Sequence, residues 1–276
     1  MLYFNYKKII ILLCDYLYYY RSKSMNLKLD NIEKKYLNKC INYVKKEVEK
    51  HNGYMPFNKY MQYVLYDNKI GYYLSGRHKI GEKGDFITSP EVSPLFARCI
   101  AHASLAVLQC IKQASFLEIG AGLGTFAVDF FIELKNLKID IDKYYILELS
   151  SDLRHVQQLH VQKSLPEFYH CFEWINELPK SNFSGIVFAN EVIDAMPVSL
   201  FKKRSDGIKS ISVVIHNEKL SFAEVDADLE LESAVQLIES DLEKFANGYA
   251  SEINFWVKPW IQSLYDAIDV GCVVLC

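Results

Sequence analysis

The sequence predicts an α/β fold: a doubly wound, Rossmann-like sheet with an N-terminal helical extension and an inserted β-hairpin. Three observations carry this expectation. Short apolar runs at 116–119, 143–149 and 185–189 alternate with longer amphipathic stretches, the rhythm of a parallel sheet with crossover helices. The first run passes directly into Gly120, Gly122 and Gly124, and Thr125 to Leu134 then reads as a helix. Polar residues, Glu148 and Asn190-Glu191, stand at the ends of the later runs, where open α/β sheets bind their ligands.

Composition sets the bounds. At 276 residues, half of them apolar, the chain can build one large domain or one domain with additions. A net charge of −3 offers no electrostatic case for nucleic acid. The cysteines, at 14, 40, 99, 110, 171, 272 and 276, are odd in number and form no C-x-x-C. That suits a reducing compartment and argues against a disulfide framework or a zinc site.

Residues 1–24 are read as a poorly ordered extension, with Met25 as the natural start. Their apolar runs, Ile9 to Cys14 and Tyr16 to Tyr20, follow Lys7 and Lys8 but are too short to span a membrane, and no small-residue cleavage site follows. Residues 25–110 are expected to form a helical region. Ile32, Tyr36, Leu37, Cys40, Ile41, Val44 and Val48 repeat near a helical period over 30–50, and Asn58 to Tyr66 suggests a second helix. The stretch from Gly71 to Glu91 is rich in Gly, Ser and charge, which predicts a loop of functional length. A helix over 92–108 follows, with Ser89 as its cap and Pro90 in the first turn. Residues 111–276 are expected to form the Rossmann-like domain, incomplete at its end and carrying an insertion at about 200–250.

The glycine turn, Phe116-Leu117-Glu118-Ile119-Gly120-Ala121-Gly122-Leu123-Gly124, admits two ligand classes. One is a dinucleotide with its pyrophosphate on the helix N-terminus. The other is S-adenosylmethionine (SAM). A purely structural βα turn is the third reading. In the dinucleotide pattern G-x-G-x-x-G the last glycine would fall on Thr125, and here it comes one residue early. Glu118 suits SAM, because a carboxylate beside the turn can organise its cationic groups. Glu148, closing the next strand, can accept both hydroxyls of a ribose, which either ligand carries.

Further along, Ser151 to Leu165 reads as a helix and 168–172 as a strand. Trp174 is read as core rather than as a cover for an adenine ring. Strands at 208–215 and 220–225, joined by His216 to Lys219, form the inserted hairpin. Acidic helices run on to about Lys244, Glu252 to Ile268 is predicted helical, and 272–276 begins another strand.

With these residues assembled, the chain resembles the MidA-type SAM-dependent methyltransferases. The resemblance rests on GYYLSGRHKIGEKGDFITSPEVSPLFAR at 71–98, FLEIGAGLGTFAVDF at 116–130, ILELSSDLRHVQQ at 146–158, GIVFANEVIDAMPV at 185–198 and GYASEIN at 248–254, in that order. It implies a class I methyltransferase fold, with SAM over Gly120, Ala121, Gly122 and Gly124 beside Glu118, and Glu148 toward the ribose. It also implies that the loop carrying Gly84, Asp85, Thr88, Pro90 and Glu91 borders the transfer site together with Asn190, Glu191 and Asp194. Mitochondrial members of the family methylate an arginine of a respiratory complex I subunit, so a protein arginine is the implied acceptor. For such an acceptor Glu191 and Asp194 are the preferred carboxylates, Asp85 and Glu91 the second choices, and Asn190 an acceptor of hydrogen bonds.

Family members continue past the strand at 272–276, so the last strands of the fold are expected to be missing. An unfinished sheet edge would favour a homo-oligomer. The expected location is the cytoplasm, with the mitochondrial matrix as the alternative, and no stable membrane insertion is expected. A SAM-binding assembly factor without turnover and an NAD(P)-dependent oxidoreductase are the competing functions.

Overall fold

In the computed structural model, which describes residues 31–73, 88–180 and 182–276, the first element is helix α1, Asn31–Lys50. It buries Cys40, Val44 and Val48 at four-residue spacing, the stripe that its periodicity predicts. The two-residue strand β1, Met55–Pro56, leads into α2, Phe57–Tyr66.

The predicted helix over 92–108 is two helices: α3, Ser89–Val92, and α4, Leu95–Cys110. The break lies at Ser93, which is extended with φ −162°. Pro94 follows it, and a proline ring clashes with helical backbone in the residue before it. Thr88, not Ser89, occupies the N-cap position, and its side chain makes no capping bond.

Strand β2, Ser115–Ile119, is buried at every residue. Helix α5, Thr125–Asn136, follows the glycine turn, and β3, Tyr144–Leu147, follows α5. Helix α6, Ser151–Ser164, is capped by Ser150, whose hydroxyl accepts the Leu153 N–H. The strand expected at 168–172 is instead a 3₁₀ turn, Pro166–Cys171, and β4 is Phe172–Ile175. Pro166 presets a helical φ there, and Phe168 packs its ring on Phe131. Strand β5, Phe183–Ala189, ends in a bend before a short 3₁₀ turn at Ile193–Ala195.

Next come β6, Ser199–Arg204, then β7, Gly207–His216, and β8, Lys219–Asp226. The last two are the expected hairpin. A single helix, α7, Leu229–Asp241, stands where acidic helices were expected to reach residue 244; Asp228 caps it by accepting the Leu231 N–H. The predicted helix at 252–268 is shorter. Strand β9, Ala250–Ile253, is drawn into antiparallel pairing with β6, and α8 spans Val257–Ala267. Strand β10, Ile268–Leu275, begins without a connecting loop, four residues ahead of expectation.

The elements form two compact units. One holds the described residues up to Tyr73 together with 196–256. Its antiparallel sheet centres on β7, which pairs with β8, β6 and β1; β9 lies beyond β6. Val44, Val48, Met55, Tyr60, Met61 and Val64 pack with Val213 and Leu220 in its main core.

The other unit holds the described residues from Thr88 to Ala195 together with 257–276. Its sheet is parallel throughout, in the order β10-β5-β2-β3-β4. From β2 the chain steps outward to β3 and β4, then returns to β5 on the opposite side of β2. That reversal is the switch point at which open α/β sheets place ligands. One face packs Phe116, Tyr144, Ile146, Phe172 and Phe188 against α4, α5 and α6. The other packs Leu117, Ile119, Val187 and Ala189 with Leu264 of α8. Gly185 in β5 is required by close approach: a Cβ there would stand 1.8 Å from the Ser115 carbonyl oxygen of β2.

Candidate functional site

Because all five strands run the same way, their carboxyl ends share one edge. Gly120 leaves β2 at that edge, Glu148 leaves β3, Asn176 leaves β4, and Asn190-Glu191 leaves β5. Residues scattered over seventy positions of sequence are thus brought to one rim.

The glycine turn is built from left-handed backbone: φ is 71° at Gly120, 55° at Gly122 and 81° at Gly124. The Gly120 N–H donates to the Leu147 carbonyl at 3.1 Å, and the Gly124 N–H closes the turn on the Ala121 carbonyl at 2.7 Å. A Cβ on Gly120 would meet Val192 Cγ2 at 3.3 Å. Helix α5 starts at this turn with no side-chain cap and no acidic residue in its first turn. Its leading N–H groups and partial positive charge are available to an anionic group.

Glu118 lies inside the sheet, fully buried, with its Oε2 accepting the Tyr144 hydroxyl at 2.7 Å. Burial raises its pKa from the ordinary 4.5 to about 8; the Tyr144 hydrogen bond opposes that shift and the nearby Glu148 charge adds to it. In the free chain this carboxyl is therefore mostly protonated at neutral pH.

Glu148 is also buried, but better served. Its Oε1 accepts the Ser150 N–H at 2.9 Å and its Oε2 accepts Gln157 Nε2 at 2.9 Å. Burial raises its pKa and these hydrogen bonds oppose the rise. The Leu149 N–H also favours the charged form. A carboxylate has about four acceptor positions, so these bonds leave acceptor capacity for a ligand. Gln157 also donates to the Gly122 carbonyl at 3.0 Å and accepts the Trp174 indole N–H at 3.0 Å. Arg154 Nη2 donates to the carbonyls of Glu148 at 2.7 Å and Ile175 at 3.2 Å, and to Asn176 Oδ1. Trp174 is half-buried and packs against Tyr169 and Phe172.

Beyond β5, Glu191 takes a left-handed conformation, φ 54°, and donates its N–H to the Cys276 carbonyl at 2.8 Å. A non-glycine residue in that region carries strain, which concentrates at functional sites. Burial and the neighbouring Asp194 raise the Glu191 pKa, and a hydrogen bond with Asn190 opposes the rise. Asp194 is exposed, on the 3₁₀ turn. Thr88, Pro90 and Glu91 are half-buried in or beside α3, which packs on α5. Gly84 and Asp85 lie outside the described residues.

Sequence reasoning missed Gln157 and Arg154. Their spacing from Ser150 along α6 shows that they share a helix face, but nothing in the sequence shows what that face meets.

A family model described as "putative S-adenosyl-L-methionine-dependent methyltransferase" matches residues 99–276. The chain belongs to that methyltransferase family. Among curated proteins, this methyltransferase-family chain is similar to "Protein arginine methyltransferase NDUFAF7, mitochondrial" of Homo sapiens, 27% identical over 216 residues, covering 68% of this chain and 48% of that protein. The Bos taurus protein of the same name is 29% identical over 202 residues, covering 63% and 45%. The chain thus spans about half the length of these relatives. Among solved structures, a Burkholderia thailandensis protein described as a "likely methyl transferase", with S-adenosyl-homocysteine bound, superposes with a TM-score of 0.79 at 29% identity. The match covers 86% of this chain and 62% of that one. The fold is that of the class I SAM-dependent methyltransferases, and the motif resemblance to the MidA type agrees with both comparisons. No helix among the described residues is long and apolar enough to cross a membrane.

Proposed function

We propose that the parallel-sheet unit binds SAM at the Gly120–Gly124 rim and transfers its methyl group to an arginine of a protein. The observation that carries this reading is the pairing of Glu148, a preset carboxylate with acceptor positions to spare, with an uncapped glycine turn beside it. This donor and acceptor set fits the cofactor. Backbone N–H groups at the α5 N-terminus suit its carboxylate, left-handed glycines admit it close to the chain, and Glu148 suits its ribose hydroxyls.

The cofactor supplies a methyl group on a sulfonium, already a good leaving group. What the chain contributes is position and alignment. Guanidinium is always protonated in water, so a carboxylate that holds it and takes its proton aids transfer. Glu191 and Asp194 fill this role in our reading, with Asn190 accepting a hydrogen bond through its carbonyl. Glu91 and Asp85 are second choices, and Gly84, Thr88 and Pro90 belong to the loop that borders the cofactor. The raised pKa of Glu191 makes it a stronger proton acceptor than an exposed carboxylate.

The arginine specificity rests on the names of the curated relatives, and a respiratory complex I subunit as acceptor rests on the family resemblance. The curated relatives named above are mitochondrial, which supports the mitochondrial matrix as the location in our reading. The test is a calorimetric titration with SAM, with NAD as control. Saturable SAM binding alone is the expected result; NAD binding in its place would overturn the reading. Substituting Glu191→Gln should then leave SAM affinity intact and reduce transfer to an arginine-containing protein acceptor.

A further inference from the structure

Gln157 is completely buried on α6, and its three polar contacts leave it a single orientation. An indole N–H can only donate. The Gln157 atom 3.0 Å from Trp174 Nε1 is therefore the amide oxygen, and the nitrogen faces the other way. That nitrogen carries two hydrogens, and two acceptors stand ready for them: the Gly122 carbonyl at 3.0 Å and Glu148 Oε2 at 2.9 Å. Turning the amide over would set a donor against a donor and an oxygen against two acceptors. The amide orientation, usually a matter of assignment, follows here from its neighbours.

We propose that Gln157 is the positioning residue of the cofactor site. It locks the Glu148 carboxylate in register with the glycine turn, and Trp174 keeps the amide the right way round. The ribose-binding oxygens are thus set before a ligand arrives. Ser150 fixes the other carboxylate oxygen through its N–H, and Arg154 fixes the Glu148 backbone through its carbonyl. Among the described residues, the Gln157 side chain is the one that hydrogen-bonds both Glu148 and the turn itself. This inference rests on Glu148 reading the ribose, as proposed above.

A buried glutamine could also be a tie that matters only for folding. The two roles separate when one hydroxyl is removed from the ligand and the amide from the protein. The probes are S-adenosyl-homocysteine and its 2′-deoxyribose counterpart, titrated into the full chain and its variants. Wild type should lose roughly tenfold or more in affinity without the hydroxyl, the range for a hydrogen bond to a charged group. Gln157→Met keeps the side-chain volume and removes both donors. It should bind the parent ligand roughly tenfold more weakly and discriminate between the two ligands less than about threefold. If Gln157→Met keeps the wild-type ratio, the inference is wrong.

Failure of the underlying reading looks different: wild type binds neither probe, or Glu148→Gln discriminates as well as wild type does. Either result removes the inference as well. If Gln157→Met does not fold, Gln157→Leu serves in its place. It likewise fills the buried site with an apolar side chain and removes both amide donors, so the ratio should fall to less than half of the wild-type value. An unchanged ratio in that variant overturns the proposal.

Discussion

Tyr144 donates its hydroxyl hydrogen to Glu118 Oε2 at 2.7 Å, between two neighbouring strands and with both side chains out of reach of water. The pair has a consequence for stability. The Glu118 pKa is about 8 in the folded chain and near its ordinary 4.5 when unfolded. Between those values the folded state binds more protons, so stability falls as pH rises through that window. Glutamine at 118 can still accept from Tyr144 but does not titrate. Urea unfolding from pH 5 to pH 9 should show Glu118→Gln gaining stability relative to wild type as pH rises. Parallel curves for the two proteins would show that Glu118 is not held neutral.

Gly120 is constrained twice, by its φ of 71° and by Val192 Cγ2 at 3.3 Å from a Cβ. Gly120→Ala should cost about 1–2 kcal/mol from the left-handed backbone alone. In that background Val192→Ala should recover only the steric part of the loss. Denaturant midpoints for the single and double variants measure the split, and full recovery would mean that the dihedral costs nothing.

Glu191 carries backbone strain and a candidate reactive carboxylate in the same residue. Two truncations separate them. Glu191→Gly and Glu191→Ala both delete the carboxylate and should lose methyl transfer alike. The glycine variant should be more stable than the alanine variant by about 1 kcal/mol, because only glycine takes a positive φ freely. Retained transfer in both would remove Glu191 from the mechanism.

The aromatic centre of the parallel sheet offers a stability test away from the rim. Phe116 is fully buried, with its ring centroid 4.2 Å from that of Phe130 and 5.2 Å from that of Tyr144. Phe116→Ala should cost about 3–5 kcal/mol, the sum of lost burial and the cavity left behind. A cost below about 1 kcal/mol would mean that the neighbouring rings collapse into the space.

The parts of the site that are local in sequence were legible before the structure. The glycine turn, Glu148 at a strand end and Asn190-Glu191 at another all declare themselves through strand patterns followed by Gly or polar residues. Pro94 also carried a local signal: it splits the helix predicted from 92 onward, through the restriction on Ser93. What stayed hidden depends on distant partners. Strand β9 forms because β6 offers it an edge, and β10 begins at Ile268 because Phe183 pairs with that residue. Gln157 looks like an ordinary polar helix residue until Gly122, 35 positions away, comes beside it. The state of Glu118 depends on burial, which no short stretch of sequence reveals.

The bond between Trp174 and Gln157 also makes the site observable. The chain has three tryptophans, and Trp256 and Trp260 are the other two. Of the three, Trp174 shares a hydrogen-bond chain with the glycine turn and Glu148. Indole emission responds to changes at its N–H, so filling the ribose position should alter the fluorescence of one chromophore over a steady background from the others. With Trp256 and Trp260 replaced by phenylalanine, the chain would report its own cofactor occupancy without a label.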